Sequence, residues 1–299
     1  LPRPDWTGDG ARFGRAIAVE GDTMVVGAID GDQGAEAGAV YVFGRDEGGV
    51  DAWGQVAKIT ASDGESLDDF GSSLSISGDA VVVGARGDDD NGDRSGSAYI
   101  FGRDQGGADA WGQVAKLTAS DGASNDRFGY SVSISGNTVV VGASHGDGIV
   151  TDSGSAYIFG RDQGGADAWG QIAKLTASDG EGGDNFGCSV SISGHSVVVG
   201  AYWDDDSGPD SGSAYIFSRN QGGVDAWGQV AKLTASDGWS SDYFGNSVAI
   251  RGDTVVVGAH QDDDHGSNSG SAYIFSRDQG GDGAWGQVAK LTAFGGASG

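Results

Sequence analysis

The chain has 299 residues, 58 of them Gly and 3 Pro, and its 43 acidic against 17 basic side chains leave a formal charge of −26. That charge excludes nucleic-acid or anionic-membrane binding through a basic face, and Gly at this level without a three-residue period excludes collagen. Apolar runs such as Val81–Ala85 are too short to span a bilayer, and a single cysteine, Cys188, excludes an internal disulfide or a cysteine-rich metal site.

The start, Leu1-Pro2-Arg3-Pro4, lacks Met and an apolar stretch and reads as a processed or cut end, with residues 1–12 expected to act as an N-terminal latch. From there the chain repeats. Phe-Gly pairs begin at Phe13, Phe70, Phe128, Phe186 and Phe244, spaced by 57, 58, 58 and 58 residues. The third copy shows the series well. An alternating stretch, Ser131–Ser135, leads through Gly136-Asn137 into the apolar run Thr138–Ala143, and an acidic loop then leads to Ser155–Phe159. After a Gly-rich turn comes Trp169–Ala177, again alternating. Alternation predicts strands with two different faces, and the β-branched run predicts a strand covered on both sides. Gly-Asp or Gly-Asn between the first two predicts a type II′ hairpin. No helical period or cap is present.

Four antiparallel strands recurring at this length predict propeller blades, each needing its neighbours to cover its faces. The expected fold is all-β, a single five-bladed β-propeller with blades at 13–69, 70–127, 128–185, 186–243 and 244–299, forming a monomeric ring.

The Phe-Gly opening and the Gly-Ala end of the second strand resemble FG-GAP repeats. The pairs are Phe13-Gly14 with Gly27-Ala28, Phe70-Gly71 with Gly84-Ala85, Phe128-Gly129 with Gly142-Ala143, Phe186-Gly187 with Gly200-Ala201, and Phe244-Gly245 with Gly258-Ala259. The resemblance, over residues 13–293, is to integrin α-subunit heads and bacterial extracellular proteins, and it implies a propeller, an extracellular or cell-surface place and a binding or adhesion role. Integrin-type heads have seven blades, and this chain shows five copies. Their calcium loop joins the first two strands, where this chain has only minimal turns such as Gly78-Asp79 and Gly252-Asp253. That metal site does not carry over.

The loop between the second and third strands is acidic, and calcium takes six to eight oxygens of this kind. The candidate ligands are Asp30, Asp32 and Glu36 in copy one, and Asp88, Asp90 and Asp93 in copy two. Copy four offers Asp204, Asp206 and Asp210, and copy five Asp262, Asp264 and Asn268. The plainer alternative is that these side chains cap their own turns. A second recurring acid, at Asp68, Asp126, Asp184 and Asp242, precedes the first strand and reads as a turn residue. The repeated Trp and the five lysines, Lys58, Lys116, Lys174, Lys232 and Lys290, read as structural because they do not vary between copies.

Positions that do vary between copies mark a candidate interaction face at the same end of the blades. Arg86, Tyr130, Tyr202 and His260 follow Gly-Ala or Phe-Gly, and Trp203, Trp239 and Tyr243 add aromatic surface suited to a glycan or protein partner. The tripeptides at Arg86-Gly87-Asp88 and Arg251-Gly252-Asp253 read as coincidence in a chain so rich in Gly and Asp. No catalytic constellation stands out, since the four histidines fall at different repeat positions and Cys188 has no evident base. The expected function is a non-enzymatic binding module of acidic face, with calcium as its expected cofactor. The alternatives are a spacer, a surface-layer unit or a duplicated or designed scaffold without a ligand, and acidity as an adaptation to high salt.

Overall fold

A computed structural model describes residues 11–29, 37–264 and 266–293. The predicted latch therefore lies almost wholly outside the described residues. Blade 1 contains β1 (Phe13–Glu20), β2 (Thr23–Ala28), β3 (Ala39–Gly44) and β4 (Gly54–Ile59), and blade 2 contains β5 (Ser73–Ser77), β6 (Ala80–Ala85), β7 (Ser97–Gly102) and β8 (Gly112–Leu117). Blade 3 follows with β9 (Phe128–Ser135), β10 (Thr138–Ala143), β11 (Ser155–Gly160) and β12 (Gly170–Leu175). Blade 4 has β13 (Ser189–Ser193), β14 (Ser196–Ala201), β15 (Ser213–Ser218) and β16 (Gly228–Leu233), and blade 5 has β17 (Phe244–Arg251), β18 (Thr254–Ala259), β19 (Ser271–Arg277) and β20 (Trp285–Thr292). Each blade is one sheet in chain order. The fold is all-β, a five-bladed β-propeller, and no described residue is helical.

By internal contacts the chain divides into two units, residues 1–139 with 160–171 and residues 140–159 with 172–299. In the first unit, Val25, Val40, Val42 and Ile59 from the back of blade 1 pack on Phe70, Leu74, Ile76, Val81, Val83, Tyr99 and Phe101 from the front of blade 2. In the second, Val198, Ala214, Ile216 and Leu233 from the back of blade 4 pack on Phe244, Ile250, Val255, Val257, Tyr273 and Phe275 from the front of blade 5. In blades 2, 3 and 4 the continuously apolar second strands are buried on both faces, as their composition predicts, with Val81, Val82 and Val83 all fully covered. Trp111, Trp169 and Trp227 are buried too, consistent with packing.

The two-residue hairpin between the first strands has its predicted geometry. Ser77 pairs with Ala80 across Gly78-Asp79, and Gly78 has φ +59 while Asp79 is not left-handed. The Phe-Gly and Gly-Ala signatures meet across blades. A methyl group on Gly84 would stand 2.1 Å from the carbonyl oxygen of Gly129, and one on Gly200 would stand 2.0 Å from that of Gly245. Backbone meets backbone there, so only Gly fits. Phe128 N donates to Ser95 O at 2.9 Å and Phe244 N to Ser211 O at 3.0 Å, tying the acidic loop of one blade to the next blade's first strand. The repeated Gln is a further tie: Gln113 Oε1 accepts from Ser62 N and Gln229 Oε1 from Ser178 N, each at 3.0 Å.

Gly200→Ala therefore forces two blades apart and is expected to destabilise by about 1–3 kcal/mol. Gly180→Ala adds a methyl group that meets nothing nearer than 3.4 Å, at a backbone conformation open to any residue, so stability changes little. Urea unfolding of the two variants checks this contrast.

Candidate functional site

The repeated lysine and the acidic loops form one device. In blade 2, Tyr99 and Lys116 are cross-strand partners, so their side chains lie on the same face of the sheet. The loop after β6 brings Asp88 to them. Tyr99 donates its hydroxyl hydrogen to Asp88 Oδ2 at 2.8 Å, and Lys116 Nζ donates to the same oxygen at 2.9 Å and to Asp63 Oδ2 at 2.8 Å. Ser97 Oγ donates to Asp88 Oδ1 at 2.9 Å, and Asp90 completes the ring of acids around the ammonium. Blade 4 repeats the pattern with Lys232, Asp179, Asp204, Asp206, Ser213 and Tyr215. Blade 5 repeats it with Lys290, Asp237, Asp262, Asp264, Ser271 and Tyr273. Each ammonium also sits over its tyrosine ring, at 5.2, 5.0 and 5.1 Å from the centroid.

Burial alone would lower the pKa of Lys116, but hydrogen bonds to Asp63, Asp90, Tyr99 and Asp88 outweigh it and hold the ammonium charged. Burial likewise works to raise Asp63 and Asp262, and their lysines and tyrosines bring them below the usual carboxylate range. Blade 3 departs from the pattern. Gly146 stands where the other blades place Asp88, Asp204 and Asp262, and Lys174 Nζ donates to the Asp147 carbonyl at 2.5 Å.

The structure thus brings six of the expected calcium ligands, Asp88, Asp90, Asp204, Asp206, Asp262 and Asp264, to lysine ammonium groups. A calcium ion there would have to displace that cation or share its carboxylates. Asp210 and Asn268 are left-handed turn residues, at φ 56 and 53, and Asp210 N donates to Asp205 Oδ1. Asp93 is exposed in its turn, its carbonyl accepting from Asn125 N at 2.8 Å. Asp30, Asp32 and Glu36 lie outside the described residues. Among the described residues no three His, Cys, Asp or Glu side chains are grouped to hold a metal.

The second recurring acid closes its own turn. Asp68 Oδ2 accepts from Glu65 N at 2.7 Å, Asp184 from Glu181 N at 2.7 Å and Asp242 from Trp239 N at 2.7 Å. Burial pushes the Asp68 and Asp184 carboxyls up to about 6, against the lowering effect of those backbone bonds.

At this same end of blades 4 and 5, four of the variable residues form a continuous chain of ring contacts. Trp203 and Tyr202 meet edge-on with centroids 5.3 Å apart, Tyr202 meets Tyr243 at 5.8 Å, and Tyr243 stacks on His260 at 5.4 Å. Trp203 is 42% exposed, and His260 is exposed. Trp239 is 72% exposed and stands outside these ring contacts. In the other unit Arg86 lies over the Tyr130 ring at 5.4 Å and pairs with Asp69 at 3.0 Å. Asp88 is only 3% exposed, so Arg86-Gly87-Asp88 does not present its acid to a partner. Burial pushes the Cys188 thiol up to about 12, far from a nucleophile.

The FG-GAP repeat family matches residues 7–43, 53–101, 111–159, 169–217 and 227–275. The chain belongs to the FG-GAP repeat family. The matched segments from residue 53 onward each start at the Trp before a fourth strand and end in the next blade's third strand, so the FG-GAP unit spans the junction between blades. FG-GAP repeats are typically extracellular and non-enzymatic. No helix among the described residues is long and apolar enough to cross a membrane. No curated protein matches the chain. Among solved structures, the chain is similar to the computationally designed Ika4 protein, at 15% identity over 68% of this chain and 89% of that one, with a TM-score of 0.41.

Two outcomes are expected. Lys232→Met strands the buried Asp204 and lowers stability by about 3 kcal/mol, while millimolar calcium leaves the melting temperature of the unaltered protein where equal ionic strength of NaCl puts it. Differential scanning calorimetry reads both. Separately, the raised carboxyls of Asp68 and Asp184 bind protons more tightly folded than unfolded. Their burial penalty therefore grows as pH rises from the ordinary carboxylate value of 3.8 to about 6. The lowered Asp63, Asp179, Asp237 and Asp262 lose their stabilising effect only as pH falls below that ordinary value. Stability should rise from pH 7 toward pH 5, and Asp68→Asn with Asp184→Asn should flatten that rise in thermal melts across the range.

Proposed function

We propose that this chain is a non-enzymatic binding module of a secreted or cell-surface protein, and that it engages a glycan or protein partner through the aromatic surface of blades 4 and 5. One observation carries the reading. Tyr202, Trp203, Tyr243 and His260 sit at positions that differ from blade to blade, yet their rings join into one partly exposed surface. Framework positions repeat because packing demands them, so substitutions confined to one end are free to serve recognition. Aromatic faces supply contact area at low entropic cost and stack on sugar rings or fit protein pockets. The surrounding acids favour a neutral or cationic partner over an anionic one. The reading does not depend on calcium, since the aromatic surface is built without the acids of the loops.

The test is binding to a glycan array and to candidate surface proteins, followed by Trp203→Ala and Tyr243→Ala. Affinity should fall at least about tenfold, equivalent to about 1.4 kcal/mol, with the melting temperature nearly unchanged for the exposed Trp203. Binding that both variants leave intact removes this surface from the function. A chain that binds nothing in either screen favours a structural spacer.

A further inference from the structure

One cavity of the first unit runs against the charge of the chain. It has a volume of about 260 Å³ and is lined by Leu67, Asp69, Arg86, Gly87, Arg94 and Arg127. Three of the chain's 17 basic side chains thus meet around a single lining carboxylate, in a molecule of net charge −26. Leu67 and Asp69 come from the entry to β5, and Arg86 and Gly87 from the turn after β6. Arg94 lies in the loop between β6 and β7, and Arg127 directly precedes β9.

The arginines are held in place. Arg86 Nε donates to Asp69 Oδ2 at 3.0 Å, and the Tyr130 ring supports the same guanidinium at 5.4 Å. Arg127 N donates to Arg94 O at 3.1 Å, flanked by Asn125 N to Asp93 O at 2.8 Å and Phe128 N to Ser95 O at 2.9 Å. These bonds fix the backbones of Arg94 and Arg127 to one another. Both residues are left-handed, at φ 53 and 57, a conformation that suits short Asn or Asp side chains better than Arg. Blades 3, 4 and 5 have Asp152, Asp210 and Asn268 in place of Arg94, and blades 2 and 4 have Asp69 and Asn185 in place of Arg127. Gly87, where those later blades carry His145, Trp203 and Gln261, adds no side chain to the cavity. Packing does not ask for these arginines. The junction of blades 4 and 5 forms with Tyr202, Asp210 and Tyr243 at the same three positions.

We propose that this cavity binds an acidic sugar through its carboxylate or sulfate group. Guanidinium forks match the oxygens of such a group in pairs, which a point charge does not. The volume lies below the about 300–1,000 Å³ of pockets for drug-sized ligands, so it takes one monosaccharide rather than a chain. Asp69 can accept from a sugar hydroxyl beside the bound anion, and Leu67, 65% exposed, offers an apolar edge to the ring. The cavity shares no residue with the aromatic surface of blades 4 and 5, and its assignment stands without that reading.

Calorimetric titration of the full 299-residue chain with sodium glucuronate tests this, beside inorganic sulfate, glucose, and NaCl at matched ionic strength. Glucuronate should bind saturably at one site with a millimolar Kd and be displaced by sulfate, while glucose and chloride give no saturable heat. Arg94→Asn with Arg127→Asn should weaken glucuronate at least about tenfold. Both substitutions bring in side chains that other blades carry at these positions, so the melting temperature should hold. Absence of saturable binding by glucuronate and sulfate alike overturns the proposal, and so does binding that the paired substitutions leave unchanged. Sulfate bound without glucuronate overturns the assignment to a carboxylate sugar, and a sulfated monosaccharide that then binds no more tightly than inorganic sulfate overturns the sugar altogether.

Discussion

The close approach of backbone to backbone at the inner edge of the blades is the constraint on which the other features depend. At Gly84 and Gly200 the next blade's Gly129 and Gly245 carbonyls lie where a side chain would begin. This contact sets how far each blade stands from the next, and with it which apolar side chains interdigitate behind it. Phe70 and Phe244 then fall into fully buried positions, each edge-on to the tyrosine of its own blade. The same Phe residues carry backbone bonds to the preceding loop through Ala37 and Ser211. Loop position is thereby fixed by strand packing.

That coupling explains how so acidic a chain keeps buried carboxylates. Desolvating Asp88, Asp204 and Asp262 would be costly for isolated ions. Each instead meets a lysine from its own blade's fourth strand, a tyrosine hydroxyl and a serine hydroxyl from the third strand. The lysine is largely covered, and its ammonium is shared among three acids, so the arrangement is closer to a neutralised polar network than to a surface ion pair. Asp68 and Asp184 instead accept backbone N–H groups of their own turns, and burial leaves them easier to protonate.

With the framework occupied in this way, much of the variation between blades falls on side chains that the junctions do not require. Blades 4 and 5 fill those places with rings, and blade 2 fills one with Arg86, which reaches the Tyr130 ring. Blade 3 shows the latitude available. It has Gly146 at the buried-acid position and still forms its four strands, because the strand junctions do not need the carboxylate.

The sequence by itself determined the five-fold repeat, the four strands of each copy, the type II′ hairpins and the buried Trp, all legible because they follow from local periodicity and turn chemistry. Val81–Ala85 announces a covered strand without reference to anything else. The acids were legible as a pattern, and their partners were not. Lys116 and Asp63 are 53 residues apart, and Lys116 and Asp88 are 28 apart. Whether they meet depends on strand register and on the fold of two loops, although their recurrence in copy after copy was a signal for it. Tyr202 and Tyr243 likewise come together only because blade 4 packs on blade 5. Tertiary structure alone decided which acid meets which lysine and which rings meet, because those contacts join strands and loops far apart in the chain and depend on how the blades pack.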